Sequence, residues 1–366
     1  MLSLAKALVI IMEGLDGFSL TLAQWQEQLK AMGEKAFRGR QIFEWLHREK
    51  AVSYDQMTNL PLKLRERLSR EVPLHLVRQE LVQRSAKDET QKFLMTLWDH
   101  EQIETVLMKY HYGYSLCISS QVGCRMGCKF CASTLSGKKR DLMSGEMLQQ
   151  IYEVERVAGV KVSHVVIMGC GEPFDNYDAL LQFLEIIHDP AGKNLSLRNI
   201  TVSTCGLVER MRQFADLDTG VTLAVSLHAP NDVIRKTLMP VAYQVTMEEL
   251  MEACRYYTDK THRRITFEYA LAQGVNDSVE HAVELAKNLR GMLCHVNLIP
   301  VNPVAERSLS ASDNDRVKRF LAVLEREHIP ATVRREMGRD IDAACGQLRR
   351  RYEKGAENNH EGSSEV

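Results

Sequence analysis

The stretch Cys124-Arg-Met-Gly-Cys128-Lys-Phe-Cys131 carries three thiols in a C-x3-C-x2-C spacing. Thiolates are soft ligands and hold iron–sulfur clusters. Three of them can hold three irons of a cubane and leave the fourth iron open to an outside ligand. So short a run wraps one corner of a cluster in a tight loop, and Gly127 eases the turn. Tyr114–Ser119, just upstream, alternates like a strand, so the loop leaves a strand's C-terminal end. Barrels of parallel strands keep their chemistry at that end. Zinc is the other metal to weigh. Structural zinc sites are closed by four ligands in paired short spacings, and no second C-x2-C occurs here.

Working outward from the loop, strands are expected at 114–119, 164–169, 199–203, 222–228, 266–271 and 294–300. Helical periodicity fills the gaps near 143–158, 177–188, 208–217, 246–260 and 279–291, with a further helix near 313–327 and a strand near 331–336. Strand–helix alternation implies a parallel sheet with crossover helices. Six units are too few for a closed eight-unit barrel, so the expected fold is α/β, a partial (βα)6 barrel. Upstream, residues 91–99 and 102–110 alternate around a short polar turn and read as a β-hairpin. Residues 20–32 and 37–47, and a segment opened by Pro61, read as helices.

The expected organisation is a small helical accessory domain over 1–88 and a hairpin extension over 89–112. The barrel follows over 113–351, ending in a loop that carries Cys345, with a disordered tail over 352–366. Lys35 to Arg70 holds nine basic and four acidic residues, a net of +5. That is either a solvated helical face or a surface for RNA phosphates. Within it, Phe37 and Trp45 are expected to be core rather than platforms for bases.

The 366 residues are 45% hydrophobic, enough for one sizeable core and a smaller one. Net charge is −1, so no global basicity points to a polyanion. The apolar run Ala7–Met12 is far too short for a membrane span and lacks a cleavage pattern, so a cytoplasmic protein without a membrane anchor is expected. An odd count of nine cysteines argues for metal binding or catalysis over a disulfide framework.

The cysteine spacing, with Phe130 before the last thiol, resembles the radical S-adenosylmethionine (SAM) superfamily. Further segments match the RlmN/Cfr family of RNA adenine methyltransferases over about residues 20–350. They are Cys117-Ile-Ser-Ser-Gln-Val-Gly-Cys124, Met168-Gly-Cys-Gly-Glu172-Pro173, Ser203-Thr-Cys-Gly206, Ser226-Leu-His228-Ala-Pro-Asn231, Gly274-Val-Asn-Asp277, Asn297-Leu-Ile-Pro-Val-Asn302-Pro303 and Asp340-Ile-Asp-Ala-Ala-Cys345-Gly-Gln-Leu348. Gly171-Glu172-Pro173 and Tyr177 look like the branch that methylates C2 of adenine-2503 in 23S rRNA and adenine-37 in tRNAs. The rival branch methylates C8. A non-catalytic iron–sulfur or zinc RNA-binding protein is the alternative of another class. Cys170 and Cys205 stand where Met and Ser or Ala are usual, and Val301 replaces an aromatic.

The resemblance implies a [4Fe–4S] cluster on Cys124, Cys128 and Cys131, with S-adenosylmethionine at its open iron. Gly171, Glu172, Ser203, Ser226, Leu227, His228 and Asn302 would line the S-adenosylmethionine pocket. By the same resemblance Cys345 takes a methyl group and becomes joined through its carbon to the adenine. Glu104 takes the C2 proton, and Cys117 attacks the sulfur of Cys345 to release product, forming a disulfide. Implied partners are 23S rRNA, tRNA and an electron donor such as flavodoxin or ferredoxin, acting on a monomer. Read without the resemblance, Cys117 is as readily a small core residue, Glu104 an exposed strand residue and His228 a structural histidine. No acid–base role is expected of His228.

Overall fold

A computed structural model describes residues 15–301, 306–335, 337–338, 340–341, 348–349 and 352. Three helices come first: α1 (Leu22–Ala31), α2 (Phe37–His47) and α3 (Leu62–Glu71). A capping box starts α1, in which Thr21 and Gln24 satisfy each other's backbone N–H groups. The apolar faces bury Trp25, Leu29, Phe43, Leu64 and Leu68. Phe37 departs from expectation: it is 57% exposed, because it opens α2 and turns away from α1. Trp45 is partly buried and its indole N–H donates to Asn59 Oδ1 (2.7 Å). Arg38, Arg40 and Arg67 each pair with a glutamate four residues away on their own surface, which favours a solvated face for that part of the basic stretch.

The strands β1 (Arg78–Arg84), β2 (Gln91–Thr96), β3 (Gln102–Tyr110) and β4 (Gly113–Ile118) follow, then short β5 (Gln121–Gly123) and β6 (Lys138–Asp141). After α4 (Ser144–Ala158) the alternation runs β7 (Val162–Ile167), α5 (Tyr177–His188), β8 (Ile200–Thr204), α6 (Val208–Asp216) and β9 (Thr222–Ser226). It continues through α7 (Asp232–Leu238), α8 (Met247–Thr261), β10 (Ile265–Leu271), α9 (Val279–Leu289), β11 (Cys294–Pro300), α10 (Asn314–Arg326) and β12 (Ala331–Val333). The main sheet has the order β1-β2-β3-β4-β7-β8-β9-β10-β11-β12, and β5 pairs with β6 in a separate ribbon.

β4 is the turning point of that sheet. It runs antiparallel to β3, with Cys117 opposite Val106, and parallel to β7, with Cys117 opposite Val166. The expected hairpin, β2 and β3, continues the barrel sheet through β4, with a third strand, β1, beyond it. The sheet has edges at β1 and β12, so the barrel is partial, as six βα units require.

Helix α4 packs under the middle of the sheet. Its buried Gln150 accepts from Thr105 Oγ1 (3.0 Å) and from Ser119 N (2.8 Å), tying β3 and the end of β4 together. The N-terminal helices lie on α4 and α5. His47 Nδ1 meets Tyr152 Oη at 3.1 Å, and Gln182 Nε2 donates to Gln24 Oε1 (2.9 Å). No described helix is long and apolar enough to cross a membrane.

Candidate active site

The residues after β5 form the cysteine loop. Cys124 N–H donates to Gly137 O (3.0 Å), and Lys129 N–H donates to Leu238 O (2.9 Å) at the end of α7. Thr134 Oγ1 stands 3.1 and 3.0 Å from the carbonyls of Cys128 and Cys131. The loop is thus held from β6, from α7 and from within. Gly127 has φ +72°, and a Cβ there would lie 3.2 Å from Pro240, so both backbone and space call for glycine.

Cys124, Cys128 and Cys131 open on one cavity of about 710 Å³ in the barrel interior. Burial pushes the Cys124 thiol up to about 12 and the Cys128 thiol up as well. Each is pushed further by the neighbouring thiols of the triad. A cation bound to the sulfurs would reverse this by displacing their protons. The donor set suits a cubane cluster: three soft thiols, a roomy cavity and no fourth cysteine at zinc spacing.

Opposite the loop lie the ends of the parallel strands. Gly171 (φ +111°) brings the chain against Ser120 and Gln121, where a Cβ would meet atoms at 2.7 Å. Glu172 then reaches back under β8. Its Oε2 accepts from Cys205 N (2.7 Å), its Oε1 from Phe174 N (3.0 Å), and burial raises its pKa against those hydrogen bonds. Ser203 and Ser226, near the ends of β8 and β9, line the same cavity. Leu227 does not; its side chain is in the main core and its N–H donates to Glu268 O (3.0 Å).

His228 lines the cavity in a left-handed conformation, φ +56°. Ala270 N–H donates to its Nδ1 (2.9 Å), which places the ring proton on Nε2. Burial lowers its pKa to about 3, so the ring is neutral. Phe130 packs edge-on against it at 4.5 Å, joining the cysteine loop to β10.

Two further site candidates come from the antiparallel side. Cys117 lines the cavity beside Val106 and Met108, as its strand parity with Ser115 and Ser119 implies, while Leu116 and Ile118 face the core. Glu104 shares the face of Val106 and Met108 but is buried rather than exposed. Its Oε2 lies 3.0 Å from Nζ of the fully buried Lys92, and its Oε1 accepts from Arg349 N (2.6 Å). Asn302 and Cys345 lie outside the described residues. Chain on either side of Cys345 reaches this region, since Ile341 lines the cavity and Arg349 bonds Glu104.

Lys92, Arg349 and the cavity-lining Arg334 and Arg335 escaped the sequence reading. One signal existed for Lys92: a lone cation in a strand otherwise flanked by Phe93, Leu94 and Met95.

Residues 118–286 match the Radical SAM superfamily model, and residues 17–73 match the ribosomal RNA large subunit methyltransferase N-terminal domain. The chain is 52% identical over 334 residues to the probable dual-specificity RNA methyltransferase RlmN of Lachnospira eligens, covering 91% of this chain and 95% of that protein. It is 48% identical over 340 residues to the corresponding protein of Geobacillus kaustophilus, covering 92% and 93%. A crystal structure of a radical SAM methyltransferase from Sphaerobacter thermophilus superposes with a TM-score of 0.87 at 46% identity, covering 91% of this chain and 98% of that one. A [4Fe–4S] cluster and S-adenosylmethionine are the cofactors of such enzymes. This chain is a radical SAM methyltransferase and belongs to the RlmN family.

Proposed function

We propose that this protein is a cytoplasmic RNA methyltransferase that acts on C2 of adenine-2503 in 23S rRNA and on adenine-37 of tRNAs. The observation that carries the reading is the placement of Cys117. Two thiols outside the cluster triad, Cys117 and Cys205, share one cavity with Cys124, Cys128 and Cys131, and Cys117 is the one that stands against the strand of Glu104. A cluster-binding module has no use for it.

C2 of adenine is an electron-poor carbon and does not attack a methyl sulfonium. Cluster-bound S-adenosylmethionine supplies one-electron chemistry that removes hydrogen from an unactivated methyl group. The chain's own residues do the rest. Cys124, Cys128 and Cys131 hold the cluster, and Gly171, Glu172, Ser203, Ser226, the Leu227 backbone, His228 and Asn302 orient S-adenosylmethionine. Cys345 carries the methyl group as a thioether; after loss of one hydrogen that carbon bridges its sulfur to C2, and the adduct's odd electron would return to the cluster that supplied one. Glu104, held by Lys92, takes the C2 proton. Cys117 as thiolate attacks the Cys345 sulfur, a disulfide forms, and the carbon leaves as the new methyl group with a proton. Reductant then returns both thiols. The cavity lies inside the partial barrel, so the target base must leave its stack to enter.

Residues 1–88 form the RNA-facing accessory region in this reading, with Lys63 and Arg70, which pair with no carboxylate among the described residues, as phosphate contacts. A monomer fed electrons by flavodoxin or ferredoxin completes the proposal.

The test is anaerobic turnover with reconstituted protein, trideuteromethyl S-adenosylmethionine and an unmethylated 23S rRNA fragment. Nucleosides are then read by mass spectrometry. Adenosine methylated at C2 with two deuteriums is expected. Methylation at C8, or retention of all three deuteriums, overturns the position or the radical route respectively.

A further inference from the structure

Arg235, in α7, is fully buried, among the largest side chains that are. A buried guanidinium is costly unless its charge is compensated. Among the described residues it makes no ion pair with a carboxylate. Its Nη2 donates to Cys205 O (2.7 Å), its Nη1 reaches Val245 O at 3.5 Å, and its Nε has no partner. Its hydrogen-bond partners are therefore two neutral carbonyls. Asp232, in the same helix, makes no ion pair with it among the described residues and accepts from Met247 N–H (2.8 Å).

The position of Arg235 shows what is missing. Leu238 and Met239, one turn on, pack with Cys128 and Cys205 in one cluster of buried side chains, and Leu238 O holds the Lys129 N–H of the cysteine loop. Arg235 itself does not line the cavity, so it stands behind the loop wall and not against a ligand in the pocket. A [4Fe–4S] centre with three thiolates carries one net negative charge when oxidised and two when reduced. It would be the large anion of this region.

We propose that Arg235 is the buried counter-charge of the iron–sulfur cluster and holds its reduction potential up. It acts through space, as a positioning residue and not as a ligand. The added electron is stabilised more than the oxidised centre, because the Coulomb attraction grows with cluster charge. The inference rests on Cys124, Cys128 and Cys131 being the ligands and not on the identity of the RNA.

The test is an EPR-monitored redox titration of the full chain, reconstituted to four irons and without S-adenosylmethionine. Arg235→Gln is expected to hold about tenfold less reduced cluster at a fixed potential, 59 mV for a one-electron couple. Arg235→Lys, which keeps the charge, is expected to stay within about twofold of the parent. A four-iron Arg235→Gln protein that titrates with the parent overturns the proposal. So does an Arg235→Lys protein shifted as far as Arg235→Gln, since shape and not charge would then be responsible.

Should Arg235→Gln not fold, Cys254→Asp serves, because buried Cys254 on α8 lies within electrostatic reach of Arg235. It adds a negative charge beside an intact Arg235 and is expected to lower the potential in the same direction. The neutral Cys254→Asn is expected not to. Equal titrations of these two overturn the proposal. A Cys128→Ala protein that still takes up four irons overturns the ligand assignment, a failure distinct from that of Arg235.

Discussion

The two halves of the sheet build the cavity in different ways. In the parallel half, β7 to β11, the candidate groups stand at or just past strand ends: Glu172, Ser203, Ser226 and His228. There the ladder runs out and side chains at the strand ends turn towards the cavity, while Leu227 turns its side chain into the core. In the antiparallel half, Cys117 lines the cavity one residue before the end of β4, and Glu104, which does not line it, lies in mid-strand. Mid-strand backbone is consumed by the ladder on both sides, so only side chains can act. The parallel half is suited to holding small polar molecules. The antiparallel half is suited to supplying reactive groups.

The broadest expected effect sits on the holding side, because every later step goes with the cluster. Cys128→Ala should reduce bound iron after reconstitution more than tenfold while far-UV circular dichroism stays unchanged. Retained iron would show that the loop is not the holding element. Next comes Cys117→Ala, which should keep the cluster and lose product formation by at least about a hundredfold. RNA should remain attached to the protein on a denaturing gel. Normal release by this variant would remove the reactive role from the antiparallel half.

Lys92→Met sharpens the comparison energetically. It leaves Glu104 as a buried charge without its cation, a change that costs about 3–5 kcal/mol. Denaturant unfolding measures this, and the double change Lys92→Met with Glu104→Leu should recover most of the loss. A single-variant cost below about 1 kcal/mol would mean that the pair is solvated.

The smallest effect lies outside both halves, in the helical layer. Burial lowers His47 to about 3 and raises Asp16 to about 7. For His47 the unfolded chain binds the extra proton below about pH 6.5, so stability falls as pH drops from there towards 3. For Asp16 the folded chain keeps the proton, so stability falls as pH rises from 3.8 to about 7. The two oppose each other between about pH 4 and 6.5. Asp16→Asn should uncover a slope of up to about 1.4 kcal/mol per pH unit rising with pH, and His47→Gln the opposite slope. Parallel profiles for parent and variants would contradict the burial seen here.

Much of the parallel half was legible in the chain. Strand and helix periods predicted β7 to β11 and their helices to within about two residues at most ends, because each element has an apolar face of distinct period. β1 and α7 were not read. β1 exposes most of its residues at the sheet edge, and α7 is only seven residues long, so neither shows a clear period. The expected core position of Phe37 failed for a related reason: a residue at a helix start has no preceding turn for its side chain to lie over.

The cysteine spacing, the strand before it and the motif order determined cofactor class, fold class and family, since all are carried by residues close along the chain. Only the tertiary structure decided that the hairpin joins the barrel through β4, that Glu104 is buried on Lys92 and the Arg349 backbone, and that Arg235 lies behind the cysteine loop without a carboxylate. Each of these is a contact between residues far apart in sequence. Its energy depends on burial and on the partner, and neither is written in the local pattern.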